Sequence, residues 1–135
     1  MMEIKMLTFP KHTNDTGSLS FLEAEHHIDF PIRRVYYIYD VASGARRGFH
    51  AHRKLQQVLI AIHGSCKILL DDGVEKEIVE LTKPNEGLVV GNAMWREMYD
   101  FSPGAVLMVL ASEYYDEADY IRNYEDFLKY TKENV

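Results

Sequence analysis

The segment Gly44–Gly64, GARRGFHAHRKLQQVLIAIHG, constrains this chain more than any other. Its first half sets His50 and His52 two residues apart. Side chains alternate between faces in an extended strand, so both imidazoles project from one face, with Phe49 and Ala51 on the other. Its second half, Gln57–Ile62, is aliphatic and β-branched and runs into His63-Gly64, which predicts a buried strand closed by a turn. Two imidazoles aimed at one point inside a β-sandwich make a site for proton transfer or for metal binding.

The rest of the chain supplies the sandwich. Strand patterns are predicted over Met6–Phe9, Leu19–Ala24, Arg33–Tyr39, Ser65–Leu70, Glu75–Leu81, Leu88–Val90, Trp95–Asp100 and Ala105–Ala111, with turn formers between them. Asp71-Asp72-Gly73 is a hairpin signal, and His12–Ser18 is dense in turn residues. Along Arg33–Tyr39, Arg34 and Tyr36 share one face and Tyr37 lies on the other; the pattern leaves open which face looks inward. The adjacent pair His26-His27 points to opposite faces and belongs to a surface loop. From Asp116 the period changes: Ile121, Tyr124, Phe127 and Leu128 recur at helical steps, predicting an amphipathic helix over 116–132 with Glu117 and Arg122 on its charged face. Many short strands and one terminal helix predict an all-β, single-domain sandwich or small barrel spanning 1–135, with a ligand cavity at its mouth.

The 135 residues suffice for one real core, and 47% hydrophobic with 27% charged residues is an ordinary globular balance. A formal net charge of -6 argues against nonspecific nucleic-acid binding. Arg33, Arg34, Arg46, Arg47, Arg53 and Lys54 nevertheless cluster, either as a solvated face or as a phosphate site. A single cysteine, Cys66, excludes an internal disulfide framework and reads as a small packed side chain. The start, MMEIKMLTFPKHT, reads as neither a signal peptide nor a membrane span, so a cytoplasmic protein is expected.

Gly44, five residues, His50-Ala51-His52, four residues, Gln57, six residues and Gly64 reproduce the spacing of the first motif of the cupin superfamily, which the chain resembles. In that motif a metal-binding Glu stands where this chain has Gln57, and a third His is expected where it has Arg96. Gln is a weak neutral ligand, and Arg cannot give up its proton to coordinate at all. The pocket is therefore expected to hold no metal or other cofactor and to perform organic acid–base chemistry.

A longer series narrows the resemblance. Arg33, Val35-Tyr36-Tyr37, Arg47-Gly48-Phe49-His50-Ala51-His52, Gln57-Val58, Gly64-Ser65-Cys66, Leu70–Gly73, Trp95-Arg96-Glu97-Met98, Val109–Ser112 and Tyr114–Asp116 are similar to the WxcM-like dTDP-4-keto-6-deoxyglucose 3,4-ketoisomerases. The resemblance implies a jelly-roll fold, a dTDP-linked 4-keto-6-deoxyhexose as substrate, its 3-keto isomer as product, and a homodimer with exchanged N-terminal strands. Under it His50 is the leading general base and His52 orients the sugar or delivers the second proton, roles that spacing alone leaves interchangeable. Tyr37 or Tyr36 would stabilise the enolate oxygen, whichever faces inward. Arg34 and Arg47 suit the pyrophosphate. Gln57 is expected to bond a histidine, and Arg96 to point into the pocket toward sugar or phosphate, or to hold Glu97. The rival expectations are a nucleotide-sugar 3,5-epimerase, a non-catalytic sugar-binding cupin and a metal-dependent oxygenase.

Overall fold

The computed structural model describes residues 2–134. Twelve strands form: β1 (Lys5–Thr8), β2 (Lys11–Asn14), β3 (Gly17–Ser20), β4 (Arg34–Ile38), β5 (Arg47–His52), β6 (Gln57–His63), β7 (Cys66–Asp71), β8 (Lys76–Leu81), β9 (Glu86–Val90), β10 (Trp95–Tyr99), β11 (Val106–Ala111) and β12 (Tyr120–Ile121). One sheet has the order β1-β9-β6-β11-β4, the other β12-β5-β10-β7-β8, and β2-β3 stand apart as a hairpin. The strand pairs are antiparallel. This is the expected jelly-roll sandwich.

Alternation explains the packing. Leu59, Leu88, Leu107 and Val109 from the first sheet meet Ile68, Leu70, Leu81 and Met98 from the second, each almost fully buried. The outer face of β6 is covered as well: Val58 and Ile60 pack under Phe9, Ile28 and Phe30. That is why β6 reads as an unbroken apolar run rather than an alternating one. Asp72 closes the β7–β8 turn by accepting from the backbone N–H of Val74 and Glu75, with Gly73 at positive φ.

The structure departs from the sequence reading at both ends. Residues 12–18 are not simply a turn: they belong to the β2–β3 hairpin, whose tip is held by Asn14 Oδ1 accepting from the Thr16 N–H. Only Leu19 and Ser20 of the expected strand over 19–24 are extended in a ladder. The expected helix over 116–132 is shorter. A 3₁₀ turn at Glu117–Asp119 is followed by β12, and helix α1 runs only over Tyr124–Glu133. Two caps divide the segment: Asp116 accepts from the Ala118 N–H, and Asn123 accepts from the Asp126 N–H to start α1 afresh. Ile121 satisfies the helical period because strand and helix bury their apolar residues in the same place, around Ala51, Trp95 and Phe127.

Candidate active site

The His-x-His strand does not run straight. Gly48 and Phe49 both have positive φ, +95° and +59°, and the register against β10 shifts between Arg96 and Glu97. One extra residue in β5 forms a bulge, a device that re-aims side chains. Gly48 is obligatory here, since a Cβ would lie 2.8 Å from the Arg96 carbonyl oxygen. Beyond the bulge, His50 and His52 share a face as expected, with ring centroids 4.9 Å apart and planes nearly perpendicular. Ala51 points to the opposite side, into the contact with α1.

The two imidazoles are not equivalent. His50 lines a cavity of about 400 Å³ between β4, β5 and β12, together with Arg34, Tyr36, Arg47, Tyr120 and Arg122. His52 lies behind it, fully buried beneath the Tyr120 ring at 4.4 Å. The Nδ1 of His52 is 3.1 Å from Asp119 Oδ2. That carboxyl group also accepts from the backbone N–H of Lys54 at 2.7 Å and of Leu55 at 3.3 Å. A carboxylate only accepts, so His52 carries its proton on Nδ1 and turns the Nε2 lone pair the other way. Burial, reinforced by the Arg96 charge, lowers His50 to about 4 and His52 to about 2. Both rings are therefore neutral at pH 7, and the Asp119 contact is a hydrogen bond rather than an ion pair.

Beneath the cavity runs a chain of hydrogen bonds. Arg96 is 1% exposed and donates from Nε and Nη2 to the Met94 carbonyl at 3.1 and 2.9 Å. Its Nη1 donates to Gln57 Oε1, and Gln57 Nε2 donates to Tyr36 Oη at 2.9 Å. Burial lowers Arg96 to about 10, which leaves it charged at neutral pH. Gln57 thus bonds a tyrosine and an arginine, not a histidine. Arg96 lies under the cavity rather than in its wall, and Glu97 instead receives Arg46 and the Trp95 indole N–H. These residues do not fit a metal centre. Among the described residues no group of three or more His, Cys, Asp and Glu side chains converges, and a fixed guanidinium occupies the place of a third ligand.

At the mouth, Arg34 lies over the rings of Tyr36 and Tyr115, 5.1 and 5.5 Å from their centroids. Its Nε and Nη2 are buried with no hydrogen-bond partner in the chain, as are Nε2 of His50 and of His52. Groups buried this way and unpaired within the chain are left for water or a ligand to meet. Arg47 is exposed at the cavity rim. Arg33 instead makes a surface ion pair with Glu113 at 3.5 Å, and Arg53 ties down the 3₁₀ segment through the Ala118 and Tyr120 carbonyls.

The inward face of β4 is the one carrying Arg34 and Tyr36. Tyr37 touches the cavity rim, but it is 60% exposed and its ring pairs with Tyr39 on the outer face, whereas Tyr36 is half-buried and lines the cavity that His50 faces. Three residues around the site escape sequence inspection: Asp119, Tyr120 and Arg122. All lie in the stretch that reads as helix. Arg122 is aligned by Glu117, through bonds of 2.7 and 2.9 Å, and rests 4.2 Å from the Tyr120 centroid. The one sequence signal was polar: Asp116 and Asn123 are both capping residues, spaced as two starts rather than one.

A family model described as "FdtA: WxcM-like, C-terminal" matches residues 2–132. The chain belongs to this WxcM-like family. It is 52% identical over 129 residues to the TDP-4-oxo-6-deoxy-alpha-D-glucose-3,4-oxoisomerase of Aneurinibacillus thermoaerophilus, covering 96% of this chain and 93% of that protein. Among solved structures it superimposes on a mutant of the 3,4-ketoisomerase QdtA from Thermoanaerobacterium thermosaccharolyticum, solved with TDP-4-keto-6-deoxyglucose, at a TM-score of 0.96 and 44% identity, covering 100% of this chain and 98% of the other. A 3,4-ketoisomerase from Helicobacter canadensis aligns at 0.94 and 48% identity, covering 98% of this chain and 99% of the other. The WxcM-like chain is thus similar to these ketoisomerases over essentially its whole described length.

Proposed function

We propose that this WxcM-like protein is a TDP-sugar 3,4-ketoisomerase that converts TDP-4-keto-6-deoxyglucose into the 3-keto isomer by acid–base chemistry. The carrying observation is a neutral imidazole, His50, facing a cavity that also holds a phenol and an unpaired arginine. The overall similarity to QdtA and to the curated oxoisomerase supports it.

In the proposed reaction the C3–H bond breaks and its proton passes to His50 Nε2. The bond electrons form the enediolate, and charge develops on O4. Tyr36, with its phenol pushed up by burial and therefore protonated, supplies a hydrogen bond to that oxygen. The O3 hydroxyl proton then passes to O4, and the enediolate π electrons take up a proton at C4 from the His50 imidazolium, after exchange with solvent, as the new C3 carbonyl forms. Atoms and electrons balance within the sugar. His52 orients His50 and the sugar from behind, while Arg34 and Arg47 hold the diphosphate by charge-assisted hydrogen bonds.

The sugar-nucleotide is the partner we propose, together with a second copy of the chain. Exposed Val35, Tyr37, Tyr39 and Ile62 form an apolar outer face, and the β2–β3 hairpin is exposed along its length. Both features suit a homodimer, which analytical ultracentrifugation tests. A cytoplasmic location is proposed with them; no helix among the described residues is long and apolar enough to cross a membrane.

Incubation with TDP-4-keto-6-deoxyglucose in deuterated buffer, followed by NMR, tests the reaction. Migration of the ketone to C3 with deuterium at C4 is expected. Inversion at C3 or C5 with the ketone still at C4 would show an epimerase, and tight binding without turnover would show a sugar-binding protein.

A further inference from the structure

We propose that Gln57 is a positioning residue that fixes the Tyr36 hydroxyl as a hydrogen-bond donor into the cavity, itself oriented by the buried Arg96. Donor and acceptor chemistry leaves one arrangement. A guanidinium has no acceptor, so the Gln57 atom facing Arg96 Nη1 is the carbonyl Oε1. The amide NH₂ is thereby turned to the other side, where Nε2 donates to Tyr36 Oη at 2.9 Å. Tyr36 Oη accepts that bond, and its own proton is left for a different partner. Arg96 is locked from behind by two bonds to the Met94 carbonyl. Each donor in the series Arg96, Gln57, Tyr36 therefore runs toward the cavity that Tyr36 lines, and aligned bonds strengthen one another. The electrostatics agree: burial raises the Tyr36 phenol, while the Arg96 charge and the Gln57 bond pull against it.

A glutamate at this position would reverse the series. Its carboxylate would accept from Arg96 and from Tyr36 together, turning the hydroxyl proton inward and away from the sugar. The inference rests on the ketoisomerase reading for what Tyr36 donates to, and it gives the amide at position 57 a reason beyond the loss of a metal ligand.

Gln57→Glu keeps the side chain's size and its contact with Arg96. We expect kcat to fall about 100-fold, the loss that follows removal of one donor to a developing oxyanion, with KM within a few-fold of the parent. In a Tyr36→Phe background the same substitution should change kcat by less than about twofold, because the donor it misdirects is already gone. Carbon-13 NMR of labelled tyrosine in the unliganded protein should show Tyr36 ionising at higher pH in Gln57→Glu than in the parent. Where that variant does not fold, Gln57→Met withdraws the N–H at similar volume and is expected to show the same dependence on Tyr36. A kcat loss just as large in the Tyr36→Phe background, or an unmoved Tyr36 titration, would overturn the proposal. If the parent protein shows no ketone migration while the tyrosine titration does shift, the relay stands and the ketoisomerase reading fails.

Discussion

Acidification should destabilise this protein well above the carboxylate range, and the cause is the pair of buried imidazoles. An unfolded histidine takes up its proton near 6.5, whereas His50 takes it near 4 and His52 near 2 in the folded state. Both folded values are depressed, so below pH 6.5 the unfolded chain binds more protons than the folded one, and stability falls as pH falls. The loss is absent above about pH 7 and complete only once pH passes each folded value. Integrated from pH 7.5 to 5, each ring costs about 2 kcal/mol, so the pair costs about 4 kcal/mol. That is a large part of the stability of a typical domain. Glu117 is lowered from 4.5 to about 2 by its bonds from Arg122 and Tyr115, so its own contribution disappears only at lower pH and leaves the window between 6.5 and 5 to the histidines. Urea midpoints at half-unit pH steps measure the slope. His50→Gln and His52→Gln should each remove about half of it, whatever they do to absolute stability. A midpoint constant from pH 7.5 to 5, or imidazole NMR signals for both rings titrating near 6.5, would refute the reasoning.

Further outcomes follow from single contacts. Asp119→Asn keeps an acceptor for the Lys54 N–H but presents an amide N–H to His52 Nδ1, which should move the ring proton to Nε2. Nitrogen-15 NMR should report the tautomer change, with turnover lost and stability reduced by about 1–3 kcal/mol. Gly48→Ala places a methyl group 2.8 Å from the Arg96 carbonyl at positive φ, so urea unfolding should show a loss of about 3 kcal/mol together with loss of activity. Arg34→Gln should weaken TDP binding in calorimetry by about 1.5–3 kcal/mol, with kcat affected much less than KM. Phe127→Ala empties the contact under α1 and should cost about 3–5 kcal/mol in urea without abolishing TDP binding.

The sequence by itself determined what depends on short-range periodicity. Two-residue alternation set His50 and His52 on one face, the unbroken apolar run marked β6 as buried, and Asp-Asp-Gly closed a hairpin. It also separated Arg34 and Tyr36 from Tyr37, since those relations hold in any strand. Which of those faces is inner was decided only when β4 took its place at the edge of one sheet, opposite the other. The same is true of Asp119, Tyr120 and Arg122. Their segment has helical spacing, yet β5 offers a free edge at His52 and Ala51, and pairing with it draws Tyr120 and Ile121 into a strand. That pairing joins residues nearly seventy positions apart, and it sets a carboxyl group behind one imidazole and a phenol beside both. Periodicity reports what a residue's near neighbours do; the partners that give an imidazole its tautomer, or an amide its direction, come from parts of the chain that only folding brings near.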